Sequence, residues 1–190
     1  MKKCNYNDFI NLLKELDTLL VEKDINIDIK AIGGFAMIYW ANKYNEKSRS
    51  VSRDIDSLSK LPKEVNSLIS LIGKRNQIDE NWLNNDWLIS KHEKEELEYF
   101  AEWQKIEPDT FQNIKLYILD IETLFFFKMR AIDDKISRAE EPPRSQDLRD
   151  IYLILKVMDE HDIYNIKNVK MNSCVQYFPQ ARDFISGREP

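Results

Sequence analysis

The chain has 190 residues, 43% of them hydrophobic and 32% charged, with a formal net charge of −5. That length suits one domain, or a small catalytic domain with a helical extension, and it is enough to bury a core. The composition excludes a disordered chain, and the acidic balance argues against tight nonspecific binding to nucleic acid, leaving only a local basic patch for that purpose. Cys4 and Cys174 lie near opposite ends, outside any Cys-x-x-Cys or His–Cys cluster, so spacing gives no zinc site. Met1 to Asn5 lacks an apolar signal core and no apolar run reaches spanning length. The expected setting is cytoplasmic and reducing, with no membrane partner.

In chain order, Asn7 to Val21 reads as an amphipathic helix, with Phe9, Ile10, Leu12, Leu13, Leu16, Leu19 and Leu20 at helical spacing and Asn5 or Asn7 as its cap. Ile25 to Ile32 alternates and predicts the first strand. Phe35 to Asn42 is apolar on most sides and predicts a buried helix. Asn45 to Ser52 is a polar loop carrying Lys47 and Arg49, and Arg53 to Leu58 predicts the second strand. Pro62 falls near the first turn of a helix that ends by Gly73. Trp82 to Leu88 reads as a loop leading into a short strand, and Lys91 to Trp103 as helix or strand. Ile114, Leu116 and Ile118 alternate with Lys115 and Tyr117 in a strand from Ile114 to Leu119. A long helix is expected over Thr123 to Ser137, broken by Pro142-Pro143. Ser145 would cap a further helix over Gln146 to His161, and a last short helix falls within Val169 to Ser186. The class implied is α/β of the α+β type, a small mixed sheet flanked by helices. Residues 1–120 would form its core, and residues 121–190 a helical part packed on that core as one compact unit.

Chemistry concentrates in Ile32-Gly33-Gly34-Phe35-Ala36-Met37 and Ser52-Arg53-Asp54-Ile55-Asp56-Ser57. On a strand Asp54 and Asp56 share a face and Ile55 points into a core. Neighbouring carboxylates repel unless a cation lies between them, and Mg²⁺ takes such oxygens together with substrate phosphates. Gly33 and Gly34 let the backbone approach a phosphate at the opening of a helix. Arg49 and Arg53 flank the aspartates as candidate triphosphate contacts.

These two stretches resemble the signature of the polymerase-beta-type nucleotidyltransferase superfamily, a Gly-Gly turn and then Asp-x-Asp on the next strand. Within it the chain looks most like minimal nucleotidyltransferases related to the AbiEii toxin group, which often place Ser or Thr two residues before the first Asp, as Ser52 stands here. The Gly34-to-Asp54 gap is longer than is usual there, and Ala41 to Ser50 reads as extra helix plus a mobile loop. Lys128, within Phe127-Lys128-Met129-Arg130, matches a helical lysine of that group. Asp147 and Asp150 match an Asp-x-x-Asp helix start.

The resemblance implies a nucleotidyltransferase fold. Asp54 and Asp56 would hold Mg²⁺, with Lys128 and Asp147 in the catalytic set. Gly33, Gly34, Ser52, Arg53 and Asp150 would bind the nucleotide. It further implies an NTP substrate, an RNA (tRNA) or protein hydroxyl as acceptor, and a toxin role with a cognate antitoxin in a toxin–antitoxin or phage-defence pair.

Each feature has a plainer reading. Asp-x-Asp also occurs on solvated strands, and Gly-Gly in simple tight turns. Lys128, set among Phe125, Phe126, Phe127 and Met129, needs a partner, either a phosphate or the Asp147 carboxylate. It would serve equally in a salt bridge inside a helical layer. Asp147 at a helix start gains under about 1 kcal/mol from the dipole alone. A third carboxylate, common in active relatives, has Asp86 and Asp120 as candidates. Trp82, Trp87, Tyr99, Phe100 and Trp103 either stack a base or fill a small core, and the isolated His92 and His161 read as surface residues. The alternative function is a catalytically inactive relative that binds a nucleotide or a partner.

Overall fold

The computed structural model describes residues 2–47, 49–85, 101–106, 111–138, 145–161 and 178–186. Asp86, Trp87, His92, Tyr99, Phe100, Cys174 and the Pro142-Pro143 break lie outside the described residues. The chain divides into two compact units, Met1–Asp120 and Ile121–Pro190. Among the described residues no helix is long and apolar enough to cross a membrane.

The first unit is a mixed α/β layer. Its elements are α1 (Tyr6–Glu22), β1 (Ile27–Ile32), α2 (Gly33–Lys43), β2 (Ile55–Ser57), α3 (Lys63–Arg75), β3 (Leu83–Asn84), β4 (Trp103–Ile106) and β5 (Ile114–Leu119). The five strands run in the order β3-β2-β1-β5-β4. β1 is parallel to β5 and antiparallel to β2; β3 is parallel to β2, and β4 antiparallel to β5.

Local chemistry sets the helix ends. The Asn5 side chain accepts the Asp8 N–H at 2.9 Å, and the Asp8 carboxylate accepts the Asn5 N–H at 2.9 Å. This reciprocal cap starts α1 one residue earlier than its apolar spacing predicts. Phe9, Leu13, Leu16 and Leu20 are fully buried along one face of α1, each stabilising the fold by about 1.5–3 kcal/mol relative to exposure. In α2 every residue from Phe35 to Ala41 is buried, as its apolar run predicts. Pro62 caps α3, which runs through Gly73 to Arg75 rather than ending there.

Strand burial alternates along β1 and β5 up to their last residues, Ile32 and Leu119, which are buried on the other face. Ile27, Ile29 and Ala31 of β1, with Ile114, Leu116 and Ile118 of β5, face the helical layer and are buried. The opposite face carries Asp28 and Lys30, paired in register with Lys115 and Tyr117. Lys105 lies opposite Tyr117 and Trp103 opposite Leu119. β3 falls at Leu83–Asn84, inside the stretch expected to be a loop, and the residues after Asn85 up to 100 lie outside the described ones. Trp82 itself is fully buried and donates its ring N–H to the Ile69 carbonyl at 2.9 Å, so it is a core residue and no base-stacking platform.

One buried carboxylate had no sequence signature. Asp17, on the inner side of α1, accepts the backbone N–H groups of Gln112 (2.8 Å), Asn113 (2.8 Å) and Ile114 (3.0 Å). The Asn113 amide in turn donates to the Leu20 and Ile25 carbonyls. Together these bonds dock the start of β5 against the end of α1 and so set the β1–β5 register.

The second unit is helical, with α4 (Ile121–Arg138), α5 (Ser145–Glu160) and α6 (Pro179–Ser186). Asp133 accepts the N–H groups of Gln180 and Ala181, both at 3.0 Å, capping α6 from α4. Both α4 and α5 overrun the expected spans at their N-terminal ends.

Asp17→Ala leaves three backbone donors in a partly buried turn without their acceptor. We expect it to lower unfolding stability by roughly 3 kcal/mol, and Asp17→Asn by less, because the amide oxygen still accepts. Urea denaturation checks this: the midpoint should fall with the slope unchanged.

Candidate functional site

The site is built where β1 ends. Ile32 is the last extended residue, and Gly33 turns the chain at φ +60°, a conformation open to glycine at little cost. A Cβ at Gly33 would come within 2.7 Å of Asp56 Oδ2. A Cβ at Gly34 would collide with the Ser52 hydroxyl and stand 3.3 Å from Arg49 Nη2. The turn therefore gathers Asp56, Ser52 and Arg49 from one later stretch of chain. Gly33 is favoured by its positive φ, and a side chain at either glycine would make Asp56 or Ser52 shift, reasons independent of any ligand.

The neighbouring backbone is held firmly. Ser52 and Cys4 exchange backbone hydrogen bonds of 2.8 and 2.9 Å in an isolated antiparallel bridge. Between α2 and this bridge, the Glu46 N–H donates to the Ala41 carbonyl at 2.7 Å. Arg49 is half-buried beside the turn. The lengthened connection thus delivers a guanidinium to the glycines, a role that the polar composition of Asn45 to Ser52 did not separate from a solvated arginine.

Asp56 lies on β2, opposite Ile32 on one side and Asn84 on the other. Ile55 is fully buried, as the alternation predicts. Asp54, however, stands outside the strand, which spans only Ile55–Ser57 instead of Arg53 to Leu58. The physical reason is the turn itself. β1 ends at Ile32 and the chain enters α2, so residues before Ile55 have no β1 backbone to pair with. Strand alternation consequently does not set the direction of the Asp54 side chain.

Burial pushes the Asp54 carboxyl above its usual range, and the negative charge of Asp79 adds to the effect. Arg53 and a backbone hydrogen bond oppose it. Asp79 sits in the turn after α3, where its carboxylate accepts the Asn81 N–H at 3.0 Å. It was not among the carboxylates singled out by sequence. Among the described residues no group of three His, Cys, Asp or Glu side chains is placed to hold a metal.

Of the other candidates, Lys128, Asp147 and Asp150 belong to the second unit. Lys128 Nζ stands 2.7 Å from Asp150 Oδ2, with 14% and 1% of the side chains exposed. The Gln146 amide donates to the other Asp150 oxygen at 2.8 Å. The carboxylate partner of Lys128 is thus Asp150 rather than Asp147, because Asp147 meets Lys135 at 3.0 Å. The two pairs tie α4 to α5. A cleft of about 200 Å³ lined by Cys4, Asp8, Asn11, Glu15 and Asn76 touches none of the candidate residues, and its acids are already bonded to Asn5 and Asn76.

No protein-family model matches the chain, no curated protein matches it, and no solved structure matches it.

Two outcomes follow from these charges. A carboxyl whose folded pKa lies above its unfolded value favours folding most when protonated. Stability then falls as pH rises from the ordinary carboxylate range through the folded pKa, and stays level above it. In metal-free buffer, Asp54→Asn should melt above the native protein at pH 7, with the gap closing below about pH 4. Added Mg²⁺ should raise the melting temperature of the native protein and leave the variant unmoved. In the second unit, Lys128→Met strands a buried carboxylate and should cost about 3–5 kcal/mol. Lys128→Met with Asp150→Leu should recover much of that. Denaturant titrations of both variants check it.

Proposed function

We propose that the protein is a metal-dependent nucleotidyltransferase that moves a nucleoside monophosphate from an NTP onto a hydroxyl. The observation that carries this reading is the convergence of the Asp56 carboxylate, the Ser52 hydroxyl and the Arg49 guanidinium on Gly33 and Gly34, at the N-terminus of the buried helix α2. The resemblance of the same residues to the AbiEii-like signature supports it.

In this reading the N–H groups opening α2 and the Ser52 hydroxyl donate to the phosphates of the nucleotide. Arg49 and Arg53 offset their charge. Asp54 and Asp56 would hold Mg²⁺, which supplies neutralisation of the triphosphate and activation of the acceptor hydroxyl. The acceptor oxygen gives up its proton to solvent and bonds to the α-phosphorus, the bond from the α-phosphorus to the bridging oxygen breaks, and pyrophosphate leaves. Positioning and charge neutralisation suffice for chemistry of this kind. Arg49 stands beside Gly34 and is the cation this reading assigns to the phosphates, and the Lys128–Asp150 pair serves to hold α4 on α5. A toxin role, with a cognate antitoxin, accompanies the same resemblance.

A second reading is a nucleotide-binding module without turnover. It is favoured by one observation, that no third described acid joins Asp54 and Asp56 in a metal-holding group.

Incubation with each α-labelled NTP, Mg²⁺ and total RNA or protein separates the two. The first reading expects label transfer that falls at least about a hundredfold in Asp54→Asn and Asp56→Asn and about tenfold or more in Arg49→Ala. NTP binding with no transfer to either acceptor supports the second.

A further inference from the structure

The stretch that brings Arg49 and Ser52 to the glycine turn is held by the N-terminal segment of the chain. Cys4 donates its N–H to the Ser52 carbonyl at 2.8 Å and accepts the Ser52 N–H at 2.9 Å. The two form an isolated antiparallel pair outside the five-stranded sheet. Both are buried, with 2% and 7% of their surface exposed. One residue after Cys4 the reciprocal Asn5–Asp8 cap starts α1, and α1 is fixed by its buried stripe of Phe9, Leu13, Leu16 and Leu20. Cys4 is therefore anchored to a rigid helix, and Ser52 is anchored to Cys4.

Ser52 takes no such support from an element of its own. α2 ends at Lys43 and β2 begins at Ile55, so Ser52 lies in the connection between them. Two backbone bonds with no ladder on either side open locally more readily than a strand inside a sheet. Yet the Ser52 hydroxyl lies against Gly34, where its placement matters most.

We propose that Cys4 is a positioning residue: through its backbone pair with Ser52 it sets the Ser52 hydroxyl at the glycine turn for the phosphates of the substrate. This rests on the nucleotidyltransferase reading. A hydroxyl donates well to a phosphate only within a narrow range of distance and angle, and a misplaced group loses most of its effect. Linkage makes the effect reciprocal: a ligand that engages the Ser52 hydroxyl also holds the Cys4 pair closed. The Cys4 thiol reports on this directly. Burial pushes it above its usual range and the charge of Asp8 adds to the effect, so it reacts slowly with thiol reagents while the pair is closed.

The experiment uses the full chain carrying Cys174→Ser, so that the Cys4 thiol reports alone, with inorganic triphosphate and each NTP with Mg²⁺ as probes. Calorimetry gives a double-mutant cycle on binding. Ser52→Ala should weaken triphosphate binding at least about tenfold. Cys4→Pro, which removes the N–H given to the Ser52 carbonyl, should also weaken it about tenfold. In the Ser52→Ala background Cys4→Pro should cost less than about twofold. A merely structural role would lower the melting temperature but leave the two effects on binding additive. Cys4→Ala keeps both backbone bonds and should lose much less than Cys4→Pro. Thiol labelling of native Cys4 needs no substitution at the pair, and decides the matter if Cys4→Pro does not fold: saturating triphosphate should slow it at least about fivefold. Additive effects in the cycle, or labelling that triphosphate leaves unchanged, overturn the proposal, while NTP binding with transfer keeps the nucleotidyltransferase reading. A cycle of the expected form with triphosphate, and no NTP bound or transferred, supports the positioning role while sinking that reading. Protein that binds neither probe overturns both.

Discussion

The first unit depends on a turn whose backbone conformation favours glycine. At the end of β1 the chain must leave the sheet and enter a buried helix at once, and Gly33 does this at φ +60°. The space that a side chain would occupy is taken by Asp56. One residue on, Ser52 and Arg49 take the equivalent space at Gly34. A turn, a helix start and the polar cluster are therefore a single object. The same turn ends the β1–β2 ladder and leaves Asp54 just beyond the strand, which frees that carboxylate from the alternation governing its neighbours.

Charge is handled in two ways. In the second unit Asp150 is almost wholly buried, and both of its oxygens are met, by Lys128 and Gln146. A pair satisfied so fully is what a buried ion pair needs to be tolerated, and it orients α4 on α5. In the first unit the carboxyl of Asp54 is pushed upward by burial and by Asp79, with Arg53 opposing. Burial and the charge of Asp79 disfavour the ionised form of Asp54, whereas Asp150 has both oxygens met. That contrast places the weight of the functional reading on the glycine turn.

The sheet separates structural work from exposed chemistry. Alternate residues of β1 and β5 bury against helices, and the Asp17 carboxylate locks the approach to β5. With that register set, Lys30 falls beside Tyr117, and Lys105 beyond it. A shift of one residue would exchange these side chains for Ile29 and Leu116. The lysine-bearing face is thus a consequence of the same pairing that builds the core.

Periodicity by itself determined the elements that bury one clear face. The α1 stripe, the β5 alternation from Ile114 to Leu119 and the mixed α/β class follow from local spacing, because burial on one side is a local pattern. The sequence also singled out Gly33 and Asp56, which the fold brings together at the turn. Tertiary structure decided what touches what. Asp17 and the Gln112–Ile114 backbone are some 95 residues apart in sequence, and no spacing rule joins them. The choice of Asp150 over Asp147 as partner of Lys128 depends on how α4 lies on α5. The shortness of β2, the approach of Arg49 to Gly34 and the influence of Asp79 on Asp54 arise only when the chain folds back on a turn. Long-range contacts of this kind are set by packing and by the need to satisfy buried polar groups, and neither leaves a periodic trace in the chain.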